Sequence, residues 1–442
     1  MNPKSRLLMG IAFALAMIVT CGTAFAKQHA AVFTVVPTGT NDTAHLQAAF
    51  NAAVLAGAGS TVQLVKGTYY IDKGIVVVNF DGSLVGAGKE KTIVQNIGGI
   101  PFPLTEAGKP YAAPAASALF LFYQDQNAVP SSITVSDLTF RGIGLGTPIN
   151  GTNNFNLLDL FGKFTGVQDD EISYLNTSLI RVGLEGQSDP NAWSGYNVGS
   201  AVEIHSEALD YYKPLAGTHL AQGCTFKNAL GGWVENSLQD SHVRIDGCTF
   251  DDVRGPIGFF DLSNLTVDVV GNRIHNATWN GGVSLWPFWD WGTNHDSLPV
   301  PSTVHISCNE ISNSLYADAI GLVDFAGYFS GVTSFKNTVI ELNNVTLLNA
   351  DYTGAIFGTG ASGITVVGNR ITGQGAYGIY FGIYGDVVDD WVIVGNCVKD
   401  AVTANKPILL GPTTSDCLVV ANANDVDNQG TDNTIINLPA RH

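Results

Sequence analysis

The six residues Val269-Val270-Gly271-Asn272-Arg273-Ile274 recur, letter for letter, as Val366-Val367-Gly368-Asn369-Arg370-Ile371. Branched apolar residues on either side of a Gly-Asn pair read as a strand, a tight turn and the start of the next strand. Close relatives are ISCNEI at 306–311 and IVGNCV at 393–398; looser ones are IELNNV at 340–345 and VVAN at 419–422. Upstream, AQGCTF (221–226) and IDGCTF (245–250) carry Cys where the others carry Asn, and VSDLTF (135–140) carries Leu138. Positions 224, 248, 272, 309, 343, 369, 396 and 422 are then equivalent, separated by 24, 24, 37, 34, 26, 27 and 26 residues. A period in the twenties with some longer members is the signature of a solenoid.

A second element follows each of these positions about ten residues later: GPIGF from Gly255, GGVSL from Gly281, DAIGL from Asp318, GAIF from Gly354 and YGIYF from Tyr377. Such short alternating runs are strands, so each repeat holds two or three strands joined by tight turns. Leucine-rich repeats have this length but need a regular Leu spacing that is absent. The expected fold is all-β, a single-stranded right-handed parallel β-helix whose coils stack about 4.8 Å apart. The recurrent Asn is expected to tolerate the turn's unusual backbone angles and to bond its equivalents in neighbouring coils as an amide ladder. An open solenoid needs a cap. Leu46, Ala49, Phe50, Ala53 and Val54 have helical spacing between an N-cap at Asp42 or Thr43 and a stop at Gly57, which predicts a short helix over the first coil.

The chain opens with Lys4 and Arg6, an apolar run from Leu7 to Thr20, and Ala24-Phe25-Ala26. That order predicts a secretory signal over 1–26, cut after Ala26, and a secreted or periplasmic product. Lipidation at Cys21 is the alternative, against which Val19-Thr20 lacks the usual context. The β-helix domain then runs over 27–442, with the cap and first coils at 31–95 and the repeat coils at about 130–425. No later run is long and apolar enough for membrane insertion. With 38 acidic against 21 basic residues the formal charge is −17, a field that argues against nucleic acid and anionic membranes. Five cysteines remain after the signal. Cys224 and Cys248 share the ladder position one coil apart, as a disulfide or as stacked free thiols.

The stretches PTGTNDTAHLQAAFNAA, GSTVQLVKGTYYI and GSLVGAGKEKTIV resemble the N-terminal section of pectate-lyase-superfamily β-helix proteins, and the G-N-x-I coils resemble that superfamily's repeats. The resemblance covers most of 32–425. It implies the fold, and a groove along one parallel sheet as the place where substrate lies. It does not choose among lyases, hydrolases, epimerases, esterases and adhesins. The Asn-Thr-Asp, Gly-His-Gly and Arg-Ile-Lys set of polygalacturonases is absent, as are the Trp-x-Asp-His and Asp-Pro-His patterns of other members. Arg254-Gly255-Pro256 is only faintly similar to a lyase Arg-Pro element.

Candidate chemistry follows from strand alternation. In SAVEIHSEALDYY, inward Val202 and Ile204 leave Glu203, His205 and Glu207 side by side on the outer face, with Asp159 of NLLDLF on the preceding coil. These residues could form an acid/base set, or Glu203, Glu207 and Asp159 a metal site. Glu235, Asp261 and Asp324 fall near the ends of equivalent strands. The bland alternative is that all these acids simply face water. A long insertion places Trp279, Trp286, Trp289 and Trp291 within a loop-like run, with Tyr316, Phe325 and Tyr328 in the next long coil. Aromatic platforms of this kind stack on sugar rings, although a loop folded over its own coil reads the same. Trp193, Tyr196, Tyr211 and Tyr212 lie beside Glu203 in sequence. A rival column is Arg244, Asp268 and His305, outward in successive coils and flanked by His242 and Asp246. It reads as a catalytic set or as a surface salt-bridge ladder.

The expected function is a carbohydrate-active one, a polysaccharide lyase or glycoside hydrolase, with a non-catalytic adhesin or glycan-binding protein as the alternative. The partner is a polysaccharide or cell-surface glycan. Because acidic walls repel polyuronates, a lyase would need Ca²⁺ between the two sets of carboxylates, whereas a neutral glycan would need only two carboxyls.

Overall fold

The structure is a computed structural model. It describes residues 30–97, 118–124, 131–143, 155–162, 173–188, 196–206, 215–277, 281–287, 300–314, 318–324, 333–383, 388–399, 407–421 and 426–438. Short apolar runs with alternating burial, such as Thr266–Val270 and Ile364–Val367, bury every second residue and pair with the run one repeat away. Among the described residues every pairing between these strands is parallel, and 34 of the strands join one sheet system. The rungs stack in register: Val243, Val267 and Val304 form one inward column, Ile245, Val269 and Ile306 the next. The product is a parallel β-helix with one apolar core along its axis. Aromatic residues stack there too, as Phe226 does on Phe250 at 4.4 Å.

The amide ladder is present. Asn272 Nδ2 donates to Asn309 Oδ1 at 3.0 Å, Asn309 Nδ2 to Asn343 Oδ1 at 2.9 Å, Asn343 Nδ2 to Asn369 Oδ1 at 2.9 Å and Asn369 Nδ2 to Asn396 Oδ1 at 2.9 Å. Each amide also holds a backbone carbonyl of the preceding rung, for example Asn309 Nδ2 on Val269 O at 2.9 Å. Asn422 lies outside the described residues. Below Asn272 the ladder position passes to Cys248 and Cys224, both buried free thiols. The backbone angles correct the expectation, because the left-handed residue is the one before each Asn. Gly271, Gly368 and Gly395 have φ of 65–67°, and Cys308 and Leu342 reach 57° and 54° without glycine's freedom. Added Cβ atoms at Gly271 and Gly395 would meet nothing within 4 Å, so glycine answers to torsion there and not to space.

The N-terminal cap is the helix Thr43–Ala56, which buries Leu46, Phe50 and Ala53. Phe50 meets Phe80, Phe120 and Phe122 edge-on at 5.4–5.9 Å, sealing the first rungs. Asp42 precedes the helix but makes no side-chain cap bond. Its carboxylate, fully buried, accepts from Thr38 N at 2.7 Å and Tyr70 N at 3.0 Å, tying the cap to the coil. No helix among the described residues is long and apolar enough to cross a membrane.

Candidate functional site

Alternation along Val198–Ser206 is as the sequence requires. Val202 and Ile204 are fully buried, and Glu203 and His205 face outward. Asp159, on Asn156–Gly162, sits directly beside Glu203 on the preceding rung. The three side chains converge. His205 Nε2 lies 2.9 Å from Asp159 Oδ1. Asn156 Nδ2 donates to Glu203 Oε2 at 2.7 Å and to Asp159 Oδ2 at 3.3 Å, so one amide holds both carboxyls. The orientation of that amide is fixed, because its Oδ1 accepts the Ser200 N–H at 2.9 Å. Sequence reading did not single out Asn156 or Ser200. The usable signal was there: a short polar residue three before Asp159, and another three before Glu203 on the next rung.

The environment separates the roles of these groups. The Asp159 side chain is only 3 % exposed and turned toward His205, whose side chain is 13 % exposed. Glu203 is reachable from outside yet packed round by protein. That burial, with the nearby Asp159 charge adding to it, raises its carboxyl pKa, partly offset by His205, Asn156 and Ser200. A carboxyl of raised pKa beside an oriented imidazole is the pairing that acid–base chemistry uses. The Asp159 contact at Nε2 fixes the orientation of the His205 ring.

The centre opens onto a groove. Past Glu203 the same outward column continues as Val234, Gly258, Ser284 and Gly321, leaving little side chain above the sheet. Ser200, Gly231, Val234, Gly255, Gly258 and Phe260 line a hollow of about 170 Å³ on the rungs that follow, reached from the carboxyls through Val234, the rung partner of Glu203. Trp286 sits on the rung next to Phe260, ring centroids 6.2 Å apart. Tyr196 stands near Arg254 and Asp252. Its hydroxyl pKa is raised chiefly by burial and then by Asp252, with Arg254 opposing.

Other expected site residues fall elsewhere. Glu235 does not face out, because its strand turns Trp233 and Glu235 together into the core, both fully buried. There Glu235 Oε2 meets His219 Nδ1 at 2.9 Å, its other oxygen accepts the Trp233 indole N–H, and His219 Nε2 faces the Leu175 carbonyl at 3.0 Å. Asp324 is also fully buried, accepting from Ser334 Oγ at 2.8 Å and from the Ser334 N–H, a turn-fixing role. Arg244, Asp268 and His305 do stack in register. Each has a polar partner: Arg244 pairs with Asp246 at 2.9 Å, Asp268 lies 3.1 Å from His242, and His305 3.0 Å from Glu341. The column is a partly exposed ladder of polar contacts. Glu207, Trp279, Trp289, Trp291 and Tyr316 lie outside the described residues, as does the side chain of Asp261.

Among the described residues no group of three or more His, Cys, Asp or Glu side chains is arranged to hold a metal ion, and Glu207, the third expected ligand, lies outside them. Asp159 and Glu203, the other two, contact His205 and Asn156.

No protein-family model matches the sequence, and no curated protein matches it. Solved structures do match in fold. DFA-IIIase from Arthrobacter chlorophenolicus A6, in complex with DFA-III, aligns at a TM-score of 0.57 and 11 % identity, over 92 % of this chain and 99 % of that one. The A-module of the mannuronan C-5 epimerase AlgE4 from Azotobacter vinelandii aligns at 0.50 and 17 %, over 90 % and 93 %. PfbA, a surface adhesin of Streptococcus pneumoniae, aligns at 0.50 and 16 %, over 92 % of both chains. At such identities the likeness is one of fold: this chain shares their parallel β-helix over nearly its whole length.

Proposed function

We propose that this protein is an exported polysaccharide-cleaving enzyme that works by general acid–base catalysis at Asp159, Glu203 and His205. The observation that carries the reading is the convergence of a buried, hydrogen-bonded carboxylate, an oriented imidazole and a second carboxyl of raised pKa at the mouth of a groove. Two of the fold neighbours are a mannuronan C-5 epimerase module and a DFA-IIIase in complex with DFA-III, which supports a sugar substrate.

Accessibility favours elimination over two-carboxyl hydrolysis. A hydrolase of the retaining kind needs both carboxyls at the sugar, one attacking and one protonating. Asp159 is turned away and sealed by His205 and Asn156, so it cannot attack. In elimination, His205 takes the proton from the carbon next to a uronate carboxyl. The C–H electron pair forms a carbon–carbon double bond, the bond to the glycosidic oxygen breaks, and Glu203 gives its proton to that oxygen. Asp159 stabilises the imidazolium that forms. Uronate polymers are therefore the favoured substrate class.

The test is to incubate the protein with polymannuronate, polygalacturonate and a neutral β-glucan, with and without EDTA. Unsaturated product is followed by ultraviolet absorbance and chain scission by reducing ends. Elimination predicts unsaturated product from a polyuronate, and a loss of roughly 10²–10⁴ in rate for both Glu203→Gln and His205→Ala. Reducing ends without unsaturation would point to hydrolysis. Binding without any product would make the protein a glycan-gripping β-helix and sink the catalytic reading. A loss of activity in EDTA alone would bring calcium back, with ligands beyond those described.

A further inference from the structure

Missing side chains open the hollow past Glu203. Ser200, Gly231 and Gly255 are rung partners in one column, and Glu203, Val234 and Gly258 in another. A Cβ at Gly231 would come within 2.7 Å of Val234 Cγ2, and one at Gly258 within 3.1 Å of Phe260 Cε2. Both would crowd side chains that wall the space. Its volume of about 170 Å³ is close to the roughly 150 Å³ of an apolar cavity that takes up benzene. The hollow therefore has room for one substituent of a sugar.

The lining names the chemistry of that substituent. Among the described residues none that lines the hollow is charged: Leu230, Val234 and Phe260 bring apolar side chains, and Ser200 brings a hydroxyl. A uronate carboxylate would lose its hydration there with no cation to receive it, and a hydroxylated ring edge would leave donors unpaired. A small ester fits, because its methyl is apolar and its oxygens only accept. Position decides which ester. The Ser200 hydroxyl also hydrogen-bonds the Glu203 carboxyl, so the hollow adjoins the centre on that side. Val234 and Gly258 place it on the two rungs after Glu203, about 5–10 Å along the axis. A methyl ester of the reacting uronate sits next to the carbon that His205 deprotonates, and so stays on the His205 rung. An acetyl group on a hydroxyl of the adjoining sugar lies a ring's length further on.

We propose that the hollow is a specificity pocket for an O-acetyl group on the glycan, its methyl seated against Val234 and Phe260 above Gly258. The inference rests on the Glu203 centre being where the glycan binds, and it narrows that reading to acetylated chains. A chain without the acetyl group leaves the hollow to water, which finds few partners on such a lining. One small apolar group in a fitted pocket changes affinity by tenfold or somewhat more, so the expected discrimination is on the order of tenfold.

The experiment measures binding by calorimetry in a Glu203→Gln background, where turnover is blocked. The probes are matched pairs: O-acetylated oligomannuronate and the same sample stripped of acetyl by mild alkali, an acetylated and a stripped xylo-oligosaccharide, and methyl-esterified and free oligogalacturonate. The expected result is that the acetylated member binds on the order of tenfold tighter in at least one of the first two pairs. Gly258→Ala, which fills the hollow, should close that gap. Phe260→Ala removes a wall without touching the backbone; it serves where Gly258→Ala fails to fold, and should narrow the same gap. Equal affinity within both acetyl pairs overturns the proposal, and so does a preference that survives both substitutions. A preference confined to the methyl-esterified probe overturns the choice of acetyl. Binding to none of the probes removes this inference and the glycan reading together. A parent protein that prefers acetylated chains and cleaves none keeps the pocket and loses the catalytic centre, whereas cleavage indifferent to acetylation does the reverse.

Discussion

Replacing Asn309 by Ala probes the ladder at its centre. The side chain makes four hydrogen bonds: it accepts from Asn272 N at 2.9 Å and Asn272 Nδ2 at 3.0 Å, and donates to Val269 O and Asn343 Oδ1, both at 2.9 Å. Asn309 is 1 % exposed, so water cannot take over. After truncation Asn272 Nδ2 still reaches Ile245 O, and Asn343 Oδ1 still accepts Asn309 N. One backbone group is stranded, the Asn272 N–H; the Val269 carbonyl keeps its place in the ladder with the next rung. A buried unpaired group costs about 1–3 kcal/mol, and the expected loss is at least that. Asn396 supplies the comparison. It is only partly buried, and water replaces much of what Asn396→Ala removes, so that variant should lose under about 2 kcal/mol. Urea unfolding followed by far-ultraviolet circular dichroism reads both. An Asn309→Ala midpoint no lower than that of Asn396→Ala would refute the claim that the amide ladder, and not apolar packing alone, holds the rungs in file.

Further expectations follow from the turns and the buried polar groups. Leu342 is exposed and held at φ 54°, so Leu342→Gly should raise stability by about 1 kcal/mol in the same urea assay; a loss would mean its side chain contributes more than the torsion costs. Glu235→Ala strands the His219 imidazole and the Trp233 indole N–H in the core, and should cost about 3–5 kcal/mol with a shift in tryptophan emission. Asp318 has a folded pKa of about 6 against 3.8 when free, so its contribution to stability is full below about pH 4 and is lost as pH rises through 6. Asp318→Asn should therefore gain about 1–2 kcal/mol over the parent at pH 8, after discounting for partial exposure, and nothing at pH 4. Melting curves at the two pH values check this, and an equal effect at both would remove the ionisation argument.

The sequence by itself determined the winding. Gly-Asn turns at a regular interval between β-branched runs leave few alternatives, since each repeat can bury its apolar face only against the next. Alternation around Val202 and Ile204 likewise sufficed to put Glu203 and His205 on the outer face, and the coil count brought Asp159 beside them. Period-two alternation, however, fixes which residues share a face and not which face is inside. In Trp233-Val234-Glu235 the large apolar indole took the core and carried Glu235 in with it, a choice made tolerable by His219 on another strand. Tertiary structure alone decided that, as it decided the burial of Asp324 under Ser334 and the placing of the turn's left-handed residue one position ahead of each Asn. The raised pKa of Glu203 and the join between Asp318 and Tyr380 are of the same kind. Both depend on which side chains the stacked rungs bring within a few ångströms, and local pattern does not encode that.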